Sequence, residues 1–171
     1  MSDSEMSKED VPRAVERAVA RIALLHIAFS KVLIEEHGRE RGLDLIAKAL
    51  IGFGKMCAEQ LQKESPDLTA LGWYEESGET EDGKLFAKGC TLAKVFKEQD
   101  ALDVGHMYCY VDAARTMAMQ PEAKMIHITC ETCGDDKCTV DIVPTTEGEQ
   151  RAFVNRDSSW RQVDPRLFEF G

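Results

Sequence analysis

The sequence predicts an α+β domain: two long N-terminal helices packed with an antiparallel sheet of two hairpins, and two shorter helices between the hairpins. Three observations point there. Apolar residues recur every three or four positions from Val11 to about Lys63. After Leu68 the pattern shortens to strand-length runs broken by Gly- and Asp-rich turns. Helix-like and strand-like stretches then come in blocks, which favours antiparallel hairpins over alternating βαβ units.

The elements follow in order. Pro12 stands in the first turn of a helix, where its missing N–H does no harm. Ala14, Val15, Ala18, Val19, Ile22, Leu25, Ala28, Phe29, Val32 and Leu33 carry the helical repeat, and Leu24, Ile27 and Ile34 widen it. So wide a stripe implies a helix covered on more than one side, as at a subunit interface, and a homodimer is expected. Gly38 stops this helix. A second runs from Arg39 to about Lys63, with Leu43, Ile46, Ala49, Leu50, Phe53, Cys57 and Leu61 toward the core. Gly52 and Gly54 within it permit either close helix contact or a kink.

Leu68–Ser77 and Leu85–Cys90 read as the strands of a hairpin around the polar turn ESGETEDGK. Thr91–Gln99 is a short amphipathic helix. Asp103 to Met119 reads as another, with Asp103 as its N-cap and Gln120-Pro121 as its end. Lys124–Thr132 and Lys137–Val143 form the second hairpin. Residues 1–10 read as a flexible tail, 11–144 as the single domain, and 145–171 as a C-terminal extension whose RLFEFG end docks or forms a short last element.

Composition narrows the function. A chain of 171 residues, 43% hydrophobic and 30% charged, suits one globular core. A net charge of −10 without a Lys/Arg cluster argues against nucleic acid as a partner. No apolar run approaches the ~20 residues that span a bilayer. The opening MSDSEMSKED lacks the basic-then-apolar pattern of a signal peptide, so a cytoplasmic protein is expected. In that reducing compartment the six cysteines read as free, metal-bound or reactive thiols, not as three disulfides.

Five of the six cysteines lie between Gly89 and Pro144. Cys109 has His106 three residues before it and Asp112 three after it, on one helical stripe. A thiol beside an imidazole can become a nucleophile, and a carboxylate can carry protons; the same stripe also reads as ordinary core. Cys90 precedes a helix, whose free N–H groups favour a thiolate. Cys130, Cys133 and Cys138, in CETCGDDKC, invite a zinc reading but lack a fourth ligand, which His127 or Cys109 would have to supply. Strict strand alternation sets Ile126, Ile128 and Cys130 on one face, near Cys138, with His127 on the other. The hairpin is then adequately explained as packing.

Taken together these residues resemble the L-2-amino-thiazoline-4-carboxylic acid hydrolase-like family. The resemblance rests on Cys90 followed by a short helix, on Tyr108-Cys109 and Asp112 in MYCYVD, on Gln120-Pro121 where the family has Asn-Pro, and on Gly134-Asp135 with Cys138. Thr91 stands where Pro is usual, and Cys130, Cys133 and His106 lie outside the pattern. The resemblance implies hydrolytic opening of a small cyclic C–N bond, with Cys109, Asp112 and Cys90 as the catalytic set. Cys109 would attack, or Asp112 would activate water. Lys94, Lys88 or Arg115 would pair with the substrate carboxylate. No cofactor is implied, and no metal at those residues. The layout is also similar to vinyl-reductase-type small-molecule binding domains, which leaves a non-catalytic sensor or a Cys-liganded metal module as alternatives.

Overall fold

A computed structural model of the chain describes residues 10–61 and 73–171. The architecture is α+β, as the patterning requires. Helix α1 (Asp10–His37) and helix α2 (Arg39–Leu61) pair through a tight turn at Gly38, whose φ of +76° suits glycine. Strands β1 (Glu76–Glu79), β2 (Leu85–Lys88), β3 (Ala123–Thr129) and β4 (Cys138–Pro144) form one antiparallel sheet in the order β1-β2-β4-β3. Between the hairpins lie α3 (Thr91–Glu98), α4 (Leu102–Gly105) and α5 (Tyr110–Met119).

The first hairpin departs from expectation. The strand expected over Leu68–Ser77 falls largely outside the described residues, and β1 uses Glu76–Glu79, part of the expected turn. All four residues are exposed, so no apolar alternation marked them. The turn itself is Thr80–Lys84, closed by Thr80 Oγ1 and by Gly83 at φ +80°.

Helix 103–119 is not continuous. It tightens into a 3₁₀ segment, His106–Cys109, between α4 and α5. Gly105 lies against the Phe96 ring, and a Cβ there would meet Phe96 Cγ at 2.4 Å. That contact holds α4 close against α3. The cap of α4 is Ala101, while Asp103 pairs with Arg39 at 3.3 Å.

Gly54 explains how α2 meets α5. A Cβ on it would lie 2.5 Å from the Ala114 Cβ, so the two helices touch backbone to backbone. Helix α2 runs through this point unbroken, which selects close contact over a kink.

The residues after Pro144 enter the same core. Helix α6 (Glu147–Asn155) starts on a capping box of Thr146 and Glu149. A 3₁₀ segment, Ser158–Val163, and helix α7 (Pro165–Phe170) follow. Trp160, Val163 and Leu167 are fully buried among Tyr110, Met117 and Phe153. Tyr110 donates its hydroxyl proton to the Arg161 carbonyl at 2.7 Å, and the Trp160 indole N–H points at the Met117 sulfur. Helix α7 thereby lies along β3, at the open edge of the sheet. Among the described residues no helix is long and apolar enough to cross a membrane.

Candidate metal and acid–base site

The second hairpin sets the site. His127 pairs with Val140 and Thr129 with Thr139, so β3 carries one extra residue, Ile128, against β4. This bulge leaves Ile128 at 43% exposure and reverses the alternation after it. His127 and Cys130, expected on opposite faces, both turn into the core. The nearness of Cys130 to Cys138 holds as expected: the Cys138 sulfur accepts the backbone N–H of Glu131, next to Cys130, at 3.3 Å. Cys109 comes to the same spot from the end of the 3₁₀ segment.

The ligand atoms of Cys109, His127 and Cys130 all lie within 4.8 Å of one another, and all three residues are buried. The Cys109 and Cys130 sulfurs are 3.8 Å apart. That is the edge of a tetrahedron, ~3.8 Å, around an ion bound to sulfur at about 2.3 Å. The Thr132 hydroxyl touches both sulfurs, at 3.3 and 3.0 Å. Cys133 and Cys138 are buried in the same hairpin. Hydrogen bonds from Cys109, Cys133 and Cys138 make Cys130 the most acidic thiol of the group, and the same arrangement with burial raises the other three.

His127 is held from behind. Its Nδ1 lies 2.8 Å from Asp164 Oδ2, and that oxygen also accepts the His127 backbone N–H at 2.9 Å. The other oxygen of Asp164 caps α7 by accepting the Leu167 N–H. Nδ1 thus keeps its proton toward Asp164, and Nε2 is the nitrogen that can bind an ion once its own proton leaves. Burial opposes a charged ring here, but Asp164, Cys130 and Asp112 outweigh it and raise His127 to about 9.

Asp112 completes the group from α5. Its Oδ2 is 3.9 Å from His127 Nε2, and its Oδ1 accepts from Arg115 at 3.2 Å. The Asp112 side chain is 26% exposed, whereas the thiols are closed off. It is where the site meets solvent.

Of the three residues expected to catalyse, Cys109 and Asp112 are brought to one place. Cys90 is a neighbour outside the close trio. Its backbone N–H and that of Gly89 donate to the two oxygens of buried Glu131. Burial pushes the Cys90 thiol up to about 11, outweighing the N–H groups of Ala93 and Leu92 that favour a thiolate. The imidazole that meets Cys109 is His127, not His106. His106 bonds through Nδ1 to the Leu102 carbonyl and packs edge-on against Phe170. Cys57 is half-buried, and the charges of Arg115 and Asp112 bear on it. Sequence reasoning offered His127 only as a possible fourth zinc ligand and set it on the opposite face from Cys130, which the bulge overturns. It missed Asp164, which lies far along the chain.

A hollow of about 270 Å³ is lined by Arg13, Tyr74, Gly89 and Lys94 among others, with Gly89 and Thr91 flanking Cys90. Burial, and then the charges of Asp112, Cys90, Cys109 and Cys138, raise the Tyr74 hydroxyl well above its ordinary value. A larger hollow of about 400 Å³, between α2, α5 and α6, lies away from the thiols. Comparison with protein-family models, with curated proteins and with solved structures gives no significant match.

Proposed function

We propose that this chain is a hydrolase that opens the C–N bond of a small cyclic amidine, of the 2-aminothiazoline-carboxylate class. Its site uses a zinc-type ion on Cys109, Cys130 and His127, with Asp112 as the proton carrier. The observation that carries this reading is the buried trio of soft and borderline donors, its imidazole fixed by Asp164. Two thiolates and an imidazole suit zinc, and three protein ligands leave a fourth position open, as in catalytic centres. An ion held there supplies Lewis acidity, which makes water a nucleophile at neutral pH.

The remaining steps belong to the chain. Asp112, at the solvent edge, takes a proton as water adds to the amidine carbon. It then returns that proton to the ring nitrogen as the C–N bond breaks. Arg115, paired with Asp112 at 3.2 Å and therefore nearest the proton carrier, offers its remaining N–H groups to a substrate carboxylate. Cys109 acts here as a ligand and not as the attacking group, since its thiol is buried and engaged by Thr132 and Cys130. The protein works in the cytoplasm, where the thiols stay reduced.

The test pairs metal analysis with turnover of 2-aminothiazoline-4-carboxylate and related cyclic amides. Close to one zinc per chain is expected. Asp112→Asn should keep the metal and lose about 100-fold or more in turnover. Full turnover by that variant would remove Asp112 from the chemistry.

A second reading has one observation of its own. The Cys138 sulfur accepts the backbone N–H of Glu131, next to Cys130, at 3.3 Å, which brings a further thiol near the trio. That favours a closed structural centre in a non-catalytic small-molecule binder of the vinyl-reductase type. Saturable binding without product would support it.

A further inference from the structure

We infer that the solvent-facing side of α1 is a homodimer interface in which two copies of this chain pair their α1 helices antiparallel, crossing at Leu25. The inference is independent of the catalytic reading.

The inward side of α1 carries Val19, Ala23, Ile27 and Ser30 and packs on α2, α3 and α4. The opposite side exposes Leu24, Leu25, Phe29 and Val32 at 47, 58, 64 and 53%. Alternation is not random there. Ala18, Leu25 and Val32 are spaced by seven residues, and so are Ala14, Arg21 and Ala28. Both sets read as one seam with a 3.5-residue period, the spacing of helices that pack lengthwise on another helix.

Charge identifies the occupant and its direction. Arg13, Arg17 and Arg21 are exposed at successive four-residue steps, a spacing at which like charges repel. Glu35 and Glu36 are exposed at the other end of the helix. Among the described residues none of these five has an ion-pair partner. A two-fold axis at Leu25 sets Ala18 opposite Val32 and Arg21 opposite the Phe29 ring. It brings Glu35 and Glu36 of one copy to the stretch between Arg13 and Arg17 of the other. A parallel pair would oppose arginine to arginine and glutamate to glutamate. Only the antiparallel copy offers each end its complement.

Sedimentation of the full chain over a concentration series is the test. The wild-type chain should be a dimer at about 100 µM, where a micromolar association is saturated. Leu25→Glu puts two carboxylates on the axis and should weaken dimerisation by about 100-fold or more. Because Leu25 is exposed, far-ultraviolet circular dichroism of that variant should match wild type. Arg17→Glu with Arg21→Glu should also weaken the dimer, and adding Glu35→Lys with Glu36→Lys should restore it. A monomer at the highest concentration overturns the inference, as does a dimer that Leu25→Glu leaves intact. Failure of the second charge pair to restore association overturns the antiparallel arrangement.

Discussion

Asp164→Ala should damage stability and metal binding together, whereas Asp164→Asn should separate them. Asp164 is 1% exposed and makes three contacts: Nδ1 of His127 at 2.8 Å, the His127 N–H at 2.9 Å and the Leu167 N–H at 3.2 Å. Losing the cap of α7 costs about 1 kcal/mol. Leaving a buried imidazole N–H and a buried backbone N–H unpaired costs roughly 1.5 kcal/mol each. Alanine should therefore cost about 4 kcal/mol, or about 10 °C in Tm for a domain of this size. Asparagine has one acceptor oxygen: turned to Leu167 it keeps the α7 cap, while its NH2 faces His127, leaves that backbone N–H unpaired and favours the other ring tautomer, so it should cost about 1.5 kcal/mol. It no longer holds the His127 ring with a charge, and zinc affinity should fall 10–100-fold, roughly the effect of losing a partner of that kind. Urea denaturation and zinc titration against a competing chelator measure both quantities. Wild-type zinc affinity in Asp164→Asn would refute the idea that Asp164 orients a ligand.

Three further outcomes are expected. Cys130→Ser should abolish zinc binding while Cys133→Ser retains it at full stoichiometry; zinc loss in both would favour the closed structural centre. Trp160→Ala should destabilise the domain by about 3–5 kcal/mol, read from urea midpoints, because this fully buried indole sits between Tyr110 and Phe153. Burial lowers His26 from its ordinary 6.5, against a smaller opposing effect from its bond to the Val104 carbonyl. The unfolded chain then binds that proton more readily. Stability from this residue is complete above about pH 6.5 and declines as pH falls below it, by up to ~1.4 kcal/mol per unit. Urea midpoints at pH 7.5 and 5.5 should converge in His26→Gln; an unchanged gap would assign the acid sensitivity elsewhere.

The two long helices were legible because their apolar repeat persists over many turns and ends at Gly38. Gly54 was legible in kind, since a glycine inside a helix implies either close approach or a bend, and only the facing Ala114 decides which. Other features depend on contacts that no local pattern encodes. The 3₁₀ segment at His106–Cys109 and the close seat of Phe96 on Gly105 leave no mark in the apolar periodicity. Strand β1 escaped notice because hydrogen bonding, not burial, holds it. At the site, Cys109 and Asp112 stood out through their spacing on one helix. His127 was misplaced because alternation assumes an unbroken ladder. Asp164 was invisible because it reaches the imidazole across 37 residues of chain.

The bulge at Ile128 has an evolutionary consequence. A chain lacking that one residue would run His127 and Thr129 opposite Val140 and Thr139 as a regular ladder, with His127 and Cys130 two positions apart and still on one face. Closing the bulge without removing a residue would instead turn one of the two away from the core. Among related chains the spacing from histidine to cysteine should therefore be free to change by one residue wherever the bulge is gained or lost together with it.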